Sequence, residues 1–204
     1  MSGWACDEIP FSKIDSKDYD VLLCYDYRDL SNITDILDEL KHYQERHLIT
    51  WSLGVYISSL LFKDHSDLFT SRIAINGSLS PISDEKGIPS AIFQGTIDGL
   101  NERGRDKFFM RMCGGRSGYA DFAKHQPQRA VEDQKEELIC LQNMILDRSI
   151  TWDIFDKVLL SSRDMIFPFK NLEKAWESKS QKNVLDLPHF CFSEWNKWDS
   201  ILEV

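Results

Sequence analysis

Ser52 stands in Leu48-Ile49-Thr50-Trp51-Ser52-Leu53-Gly54-Val55-Tyr56, where an apolar run suited to a strand changes abruptly to helical spacing. A serine at such a corner can be held in a strained turn with its hydroxyl raised above a sheet, as in the G-x-S-x-G nucleophile elbow. Thr50 replaces the first glycine of that pattern, so a larger side chain has to fit beside the turn. The hydroxyl becomes a useful nucleophile only when a base takes its proton. Of the five histidines, His42 and His65 lie in polar stretches, His47 begins the run before Ser52, and His125 lies in a helical region. His189, in Leu187-Pro188-His189-Phe190, follows a late apolar run and is the candidate base. Asp164 comes directly off the apolar run Lys157-Val158-Leu159-Leu160-Ser161 and is the candidate acid. It would hold the imidazole in one tautomer and balance its charge. The chain order Ser52, Asp164, His189 is that of the hydrolase triad built on an α/β sheet. An oxyanion formed during attack needs two backbone N–H donors. Leu53, the residue after the nucleophile, offers one, and the early turn Ser2-Gly3-Trp4-Ala5 nominates Trp4 for the other.

The elements that must position these residues alternate between short apolar runs and helical spacing. Strands are predicted at residues 20–25, 47–51, 71–76, 157–161 and 184–187. Helices are predicted at 31–43, 54–62, 171–177 and 193–202. This alternation implies a mostly parallel sheet with flanking helices, an α/β architecture spanning residues 1–204 as a single domain. Residues 90–147 break the rhythm with several helical segments, including 130–146, and read as an inserted helical cap.

The 204 residues are 42% hydrophobic and 28% charged, the balance of a soluble globular protein with one core. A formal charge of −9 argues against general affinity for nucleic acid or an anionic membrane. The sequence shows no signal-peptide pattern and no run long enough for a membrane span, so a cytoplasmic location is expected. Cys6, Cys24, Cys113, Cys140 and Cys191 are scattered, without C-x-x-C spacing, and are expected to be packed thiols rather than metal ligands.

Several further stretches are similar to the BioG-type pimeloyl-acyl carrier protein methyl ester esterases of biotin synthesis. They include Ser2-Gly3-Trp4, Tyr25-Asp26-Tyr27-Arg28-Asp29, Trp51-Ser52-Leu53-Gly54, Ala74-Ile75-Asn76-Gly77, Arg111-Met112-Cys113-Gly114, Asp164-Met165-Ile166-Phe167-Pro168 and His189-Phe190. The resemblance implies an α/β-hydrolase fold with a helical cap, and demethylation of a pimeloyl ester carried on acyl carrier protein. It implies no metal and no organic cofactor. Members of that family usually carry an apolar strand ahead of the Gly-Trp turn, whereas Met1 stands almost upon it here. The first strand is therefore expected to be missing, with either a start further upstream or another segment covering the sheet edge.

An acidic carrier protein needs a basic landing surface. Arg103, Arg105, Lys107, Arg111 and Arg116 form the concentration of positive charge that could provide it, and Phe108, Phe109 and Met112 could line an acyl channel. Two other functions stay open from sequence: a broader carboxylesterase or thioesterase with the same triad, and a non-catalytic binding protein on the same scaffold.

Overall fold

The computed structural model describes residues 1–17 and 19–204. Four parallel strands form one sheet in the order β1 (His47–Trp51), β2 (Ser71–Ile75), β3 (Lys157–Ser161) and β4 (Lys182–Leu185). Their registers place Thr50 beside Ala74, Ala74 beside Val158, and Leu159 beside Asn183. Parallel neighbours need a crossover between them. Helix α1 (Ile33–Leu40) precedes β1, and α2 (Leu53–Leu61) carries the chain from β1 to β2. Between β2 and β3 run α3 (Ser90–Asp98), α4 (Glu102–Met112), α5 (Arg116–Phe122) and α6 (Val131–Asp147). Helix α7 (Phe169–Ala175) joins β3 to β4, and α8 (Asp199–Glu203) follows the sheet.

The central strands lack the polar alternation of an exposed sheet because both faces are covered. Ile73, Ile75, Val158, Leu159 and Leu160 are all buried. Helix α2 is buried from Leu53 to Ser59, and its two serines avoid a desolvation penalty by donating to carbonyls one turn back. Ser58 reaches Gly54 O at 2.6 Å and Ser59 reaches Val55 O at 3.0 Å. Burial raises the Cys191 thiol far above its ordinary range and pushes Cys113 up to about 12, so both behave as packing groups.

Two predicted elements differ from the structure. Residues 20–25 form no strand, and Val21 and Leu22 are about half exposed at 47% and 53%. A strand needs a ladder partner, and a cavity of about 650 Å³ lies between this stretch and β1. Its Cys24 carbonyl does accept from Ser2 N at 3.0 Å and from the Tyr27 hydroxyl at 3.3 Å, but neither bond belongs to a strand ladder. Met1 meanwhile supplies a single parallel rung to the edge of β1, donating from its amino group to Ile49 O and accepting from Trp51 N. Residues 193–202 are not one helix either. Asp15 bridges Lys197, accepting from Trp198 N and donating to Asn196 O, which holds the chain out of helical geometry between Trp195 and α8. Trp195 and Trp198 instead pack against Phe192.

Candidate active site

Strand β1 ends at Trp51 and α2 begins at Leu53, leaving Ser52 to turn the chain alone. Its backbone adopts φ 59° and ψ −128°, a conformation that a non-glycine residue holds only when its surroundings enforce it. Ser52 N donates to Ile75 O at the end of β2, at 2.9 Å. Two glycines permit the close packing around it. A Cβ on Gly54 would stand 2.3 Å from Ser2 O, and one on Gly77 would stand 2.2 Å from Ser52 O. Thr50 is accommodated because its side chain points along the sheet, where its hydroxyl donates to Ile73 O at 3.0 Å.

Asp164 follows β3 in a tight turn, and Oδ1 accepts from Ile166 N at 2.7 Å and Phe167 N at 2.9 Å. That fixes the carboxylate and leaves Oδ2 to meet His189 Nδ1 at 2.6 Å. On the other side of the ring, His189 Nε2 lies 3.0 Å from Ser52 Oγ. An ionised carboxylate only accepts, so Nδ1 carries the proton and Nε2 is left to accept from the serine hydroxyl. Ser52, Asp164 and His189 are each less than a tenth exposed, so the relay is shielded from bulk water.

The three candidates meet because β1, β3 and β4 run parallel and the loops after them emerge on one side of the sheet. Side chains not singled out from the sequence hold the histidine there. Its carbonyl accepts from the Trp51 indole at 3.0 Å and from Asn76 Nδ2 at 2.9 Å. Phe167 lies against the imidazole with ring centroids 5.8 Å apart and planes 13° apart. Asn76 adopts φ 47° directly after β2 and is fully buried. Its carboxamide also donates to Ser161 Oγ at 2.8 Å and accepts from Ser161 N at 2.7 Å, tying the ends of β2 and β3 to the histidine loop. The signal available in sequence was an asparagine ending an apolar strand just before a glycine, since asparagine tolerates left-handed backbone better than most residues. Asn76→Ala is expected to lower stability by about 2–4 kcal/mol, because it strips partners from several buried groups. Urea unfolding of the two proteins measures this.

Trp4, Leu53, Phe108, Arg111 and Met112 line the same pocket as Ser52 and His189. Trp4 is buried and anchored by its indole N–H on Gln134 O at 2.6 Å, and Phe108 meets it edge to face at 4.8 Å. Phe109 is instead buried against Phe122, away from the pocket lining. The basic residues of α4 divide. Arg103, Lys107 and Arg111 are exposed and spaced four apart, so they form one stripe along the helix leading to the pocket. Arg105 departs from the expectation that it joins them: it lies off this stripe, and its side chain is 17% exposed with Nε 3.8 Å from Asp106. Arg116 begins α5, beyond the stripe. Among the described residues, no group of three or more His, Cys, Asp or Glu side chains is placed to hold a metal ion.

Residues 1–201 match the family model described as pimeloyl-ACP methyl esterase BioG. The chain is 38% identical over 177 residues to the malonyl-[acyl-carrier protein] O-methyltransferase of Bacteroides fragilis. That match covers 87% of the chain but 36% of the relative, so the chain spans about a third of that protein's length. The crystal structure of BioG from Haemophilus influenzae superposes with a TM-score of 0.88 at 30% identity, covering 98% of this chain and 91% of that one. The esterase RhEst1 from Rhodococcus sp. gives a TM-score of 0.59 at 14% identity, covering 99% and 85% respectively. At that identity the likeness concerns the α/β-hydrolase fold alone.

Proposed function

Because the chain belongs to the BioG family, with a hydrolase fold and a place in biotin synthesis, we propose that it is a serine esterase removing the methyl group from a pimeloyl ester carried on acyl carrier protein. The observation that carries this reading is the closed relay of Asp164, His189 and Ser52, with successive contacts of 2.6 and 3.0 Å. His189 Nε2 takes the Ser52 proton as Oγ attacks the ester carbonyl. The oxyanion is received by the N–H groups of Leu53 and Trp4, and His189 then gives its proton to the departing methanol oxygen. A water molecule, deprotonated by the same nitrogen, attacks the acyl-serine, and His189 returns that proton to Ser52 Oγ as its bond to the acyl carbon breaks and the pimeloyl carboxyl group is released. Asp164 stays ionised throughout and balances the imidazolium. No cofactor enters this sequence.

The family name specifies the acyl group, and the Bacteroides relative adds chemical support. A protein named for O-methylation of a carrier-bound acyl group contains a stretch similar to this chain, and ester hydrolysis is the complement of methyl ester formation. The stripe of Arg103, Lys107 and Arg111 supports an acidic carrier as partner, with Arg111 at the pocket itself. Ile88, Phe93, Phe108, Met112 and Leu138 offer an apolar lining for the methylene chain. The cavity they surround is only about 30 Å³, too small for a pimeloyl group. We therefore read the helical segment 90–147 as a cap that lifts to admit the acyl chain.

Incubation with the methyl ester of pimeloyl-carrier protein is expected to give methanol and a carrier one methylene lighter by mass spectrometry. Free dimethyl pimelate is expected to react with a kcat/KM lower by at least about tenfold, as the carrier contacts are lost. Equal rates on the two substrates would point to a general carboxylesterase, and no hydrolysis of either would reject an esterase.

A further inference from the structure

The Trp4 N–H can serve as an oxyanion donor only if the turn containing it is held still, and the next residue makes that demanding. Ala5 adopts φ 66°, a left-handed conformation that an alanine does not hold unaided. Both of its peptide groups are gripped from α6, more than a hundred residues away. Ala5 N donates to Glu137 Oε2 at 3.4 Å, and Ala5 O accepts from Gln134 Nε2 at 3.0 Å. The Trp4 indole donates to Gln134 O, and Arg129 Nη1 donates to Cys6 O at 3.1 Å.

Glu137 is a glutamate with no exposure at all, and its hydrogen bonds run to Ala5, Tyr27 and Arg129 rather than to the relay. Burial raises its carboxyl above the usual carboxylate range, against the pull of the Arg129 guanidinium. Arg129 Nη1 meets Oε2 at 2.7 Å, and Oε1 accepts from Tyr27 N at 3.2 Å. Tyr27 belongs to the Tyr25-Asp26-Tyr27-Arg28-Asp29 run, whose family resemblance left its role unassigned. Its hydroxyl donates to Ser2 O at 2.7 Å, so this turn holds the other side of the same loop. Asp26 pairs with Arg28 at 2.7 Å and with Arg129 at 3.1 Å, and Arg28 reaches Asp133 on α6 at 2.7 Å. A buried ionisable group with this many converging partners is costly to keep for packing alone.

We propose that Glu137 is a positioning residue: with Gln134 and Arg129 it clamps the Gly3–Cys6 loop between α6 and the Tyr27 turn, and so aims the Trp4 N–H at the oxyanion. The inference rests on the esterase reading above. It assigns to α6 the task of holding one half of the oxyanion site, while α2 supplies the other half through Leu53.

Glu137→Gln keeps the shape of the side chain but replaces one acceptor with a donor facing other donors. Losing an oxyanion donor outright costs about 10²–10³ in kcat, and tilting one is expected to cost less, about 20-fold. With p-nitrophenyl acetate, kcat of Glu137→Gln should fall by about 20-fold with KM within about twofold of wild type. Inhibition by phenylboronic acid should weaken by a similar factor. Its boron takes the Ser52 oxygen while the hydroxyl proton passes to His189, and the resulting tetrahedral anion needs the same N–H groups.

A folded Glu137→Gln protein with wild-type kcat and boronate affinity overturns the inference, whatever its melting temperature. If that variant fails to fold, Gln134→Met decides. Removing only the bond to Ala5 O is expected to lower kcat about fivefold at constant KM, and an unchanged kcat there overturns the clamp. A wild-type protein with no esterase activity, or one whose activity survives Ser52→Ala, would instead reject the esterase reading on which the clamp depends.

Discussion

Ser52→Ala is expected to lower kcat/KM on the carrier-bound methyl ester by about 10⁴–10⁶ while leaving the melting temperature within a few degrees of wild type. The loss is that large because the Oγ atom is the one whose bond to the acyl carbon divides the reaction into two easier steps. The fold should tolerate the change because the strained turn is held by Ser52 N on Ile75 O and by the glycine contacts, none of which uses the hydroxyl. Asp164→Asn is expected to cost about 10⁴ in kcat at neutral pH for a different reason. Oδ1 already accepts from two backbone N–H groups, so the amide nitrogen of the variant is forced toward His189. It then donates to Nδ1, the ring proton moves to Nε2, and Nε2 can no longer accept from serine. Steady-state kinetics of both variants on the carrier-bound ester check this pair. A Ser52→Ala protein retaining more than about a hundredth of wild-type activity would remove Ser52 from the mechanism.

The three side chains of the relay were legible in sequence for a physical reason. Each comes directly after a short apolar run, and in a parallel sheet the ends of those runs gather on one side. What holds them was legible only in part. Asn76 could be noticed as a polar residue closing an apolar strand, but its role depends on β3 and the histidine loop being its neighbours, which local spacing does not encode. Glu137 looks like one more polar position in the acidic first half of α6 until the Gly3–Cys6 loop is seen to end on it. Trp4 lies near the first residue, where a side chain is expected to be loosely held, and it is fixed instead from residue 134. The misread strand at residues 20–25 shows the converse. Its composition is that of a buried strand, but strand formation is a property of a pair, and β1 does not pair with it. At residues 193–202 the spacing of Trp195 and Trp198 fits a helix, yet a bridge from Asp15 decides the backbone.

Arg103→Glu combined with Lys107→Glu is expected to lower kcat/KM on the carrier-bound ester by about 100-fold at low ionic strength, chiefly through slower association. The argument rests on position. Both residues are exposed on α4, and Arg111 in the last turn of that helix lines the Ser52 pocket while donating to Met165 O at 2.9 Å. An acidic carrier approaching an enzyme of net charge −9 is repelled at long range unless a local positive stripe guides it. Screening shortens the reach of such guidance from about 30 Å at 0.01 M salt to about 8 Å at 0.15 M. The gap between wild type and the double variant should therefore narrow as salt is added. Dimethyl pimelate, which carries no charge, should be hydrolysed within about twofold of wild type, because neither residue lines the pocket. Arg105→Gln, off the stripe, is the internal control and should change carrier-bound turnover by no more than about threefold. An equal loss on the charged and uncharged substrates would mean that the substitutions disturb α4 itself, and a gap that ignores salt would mean that the stripe does not steer the carrier.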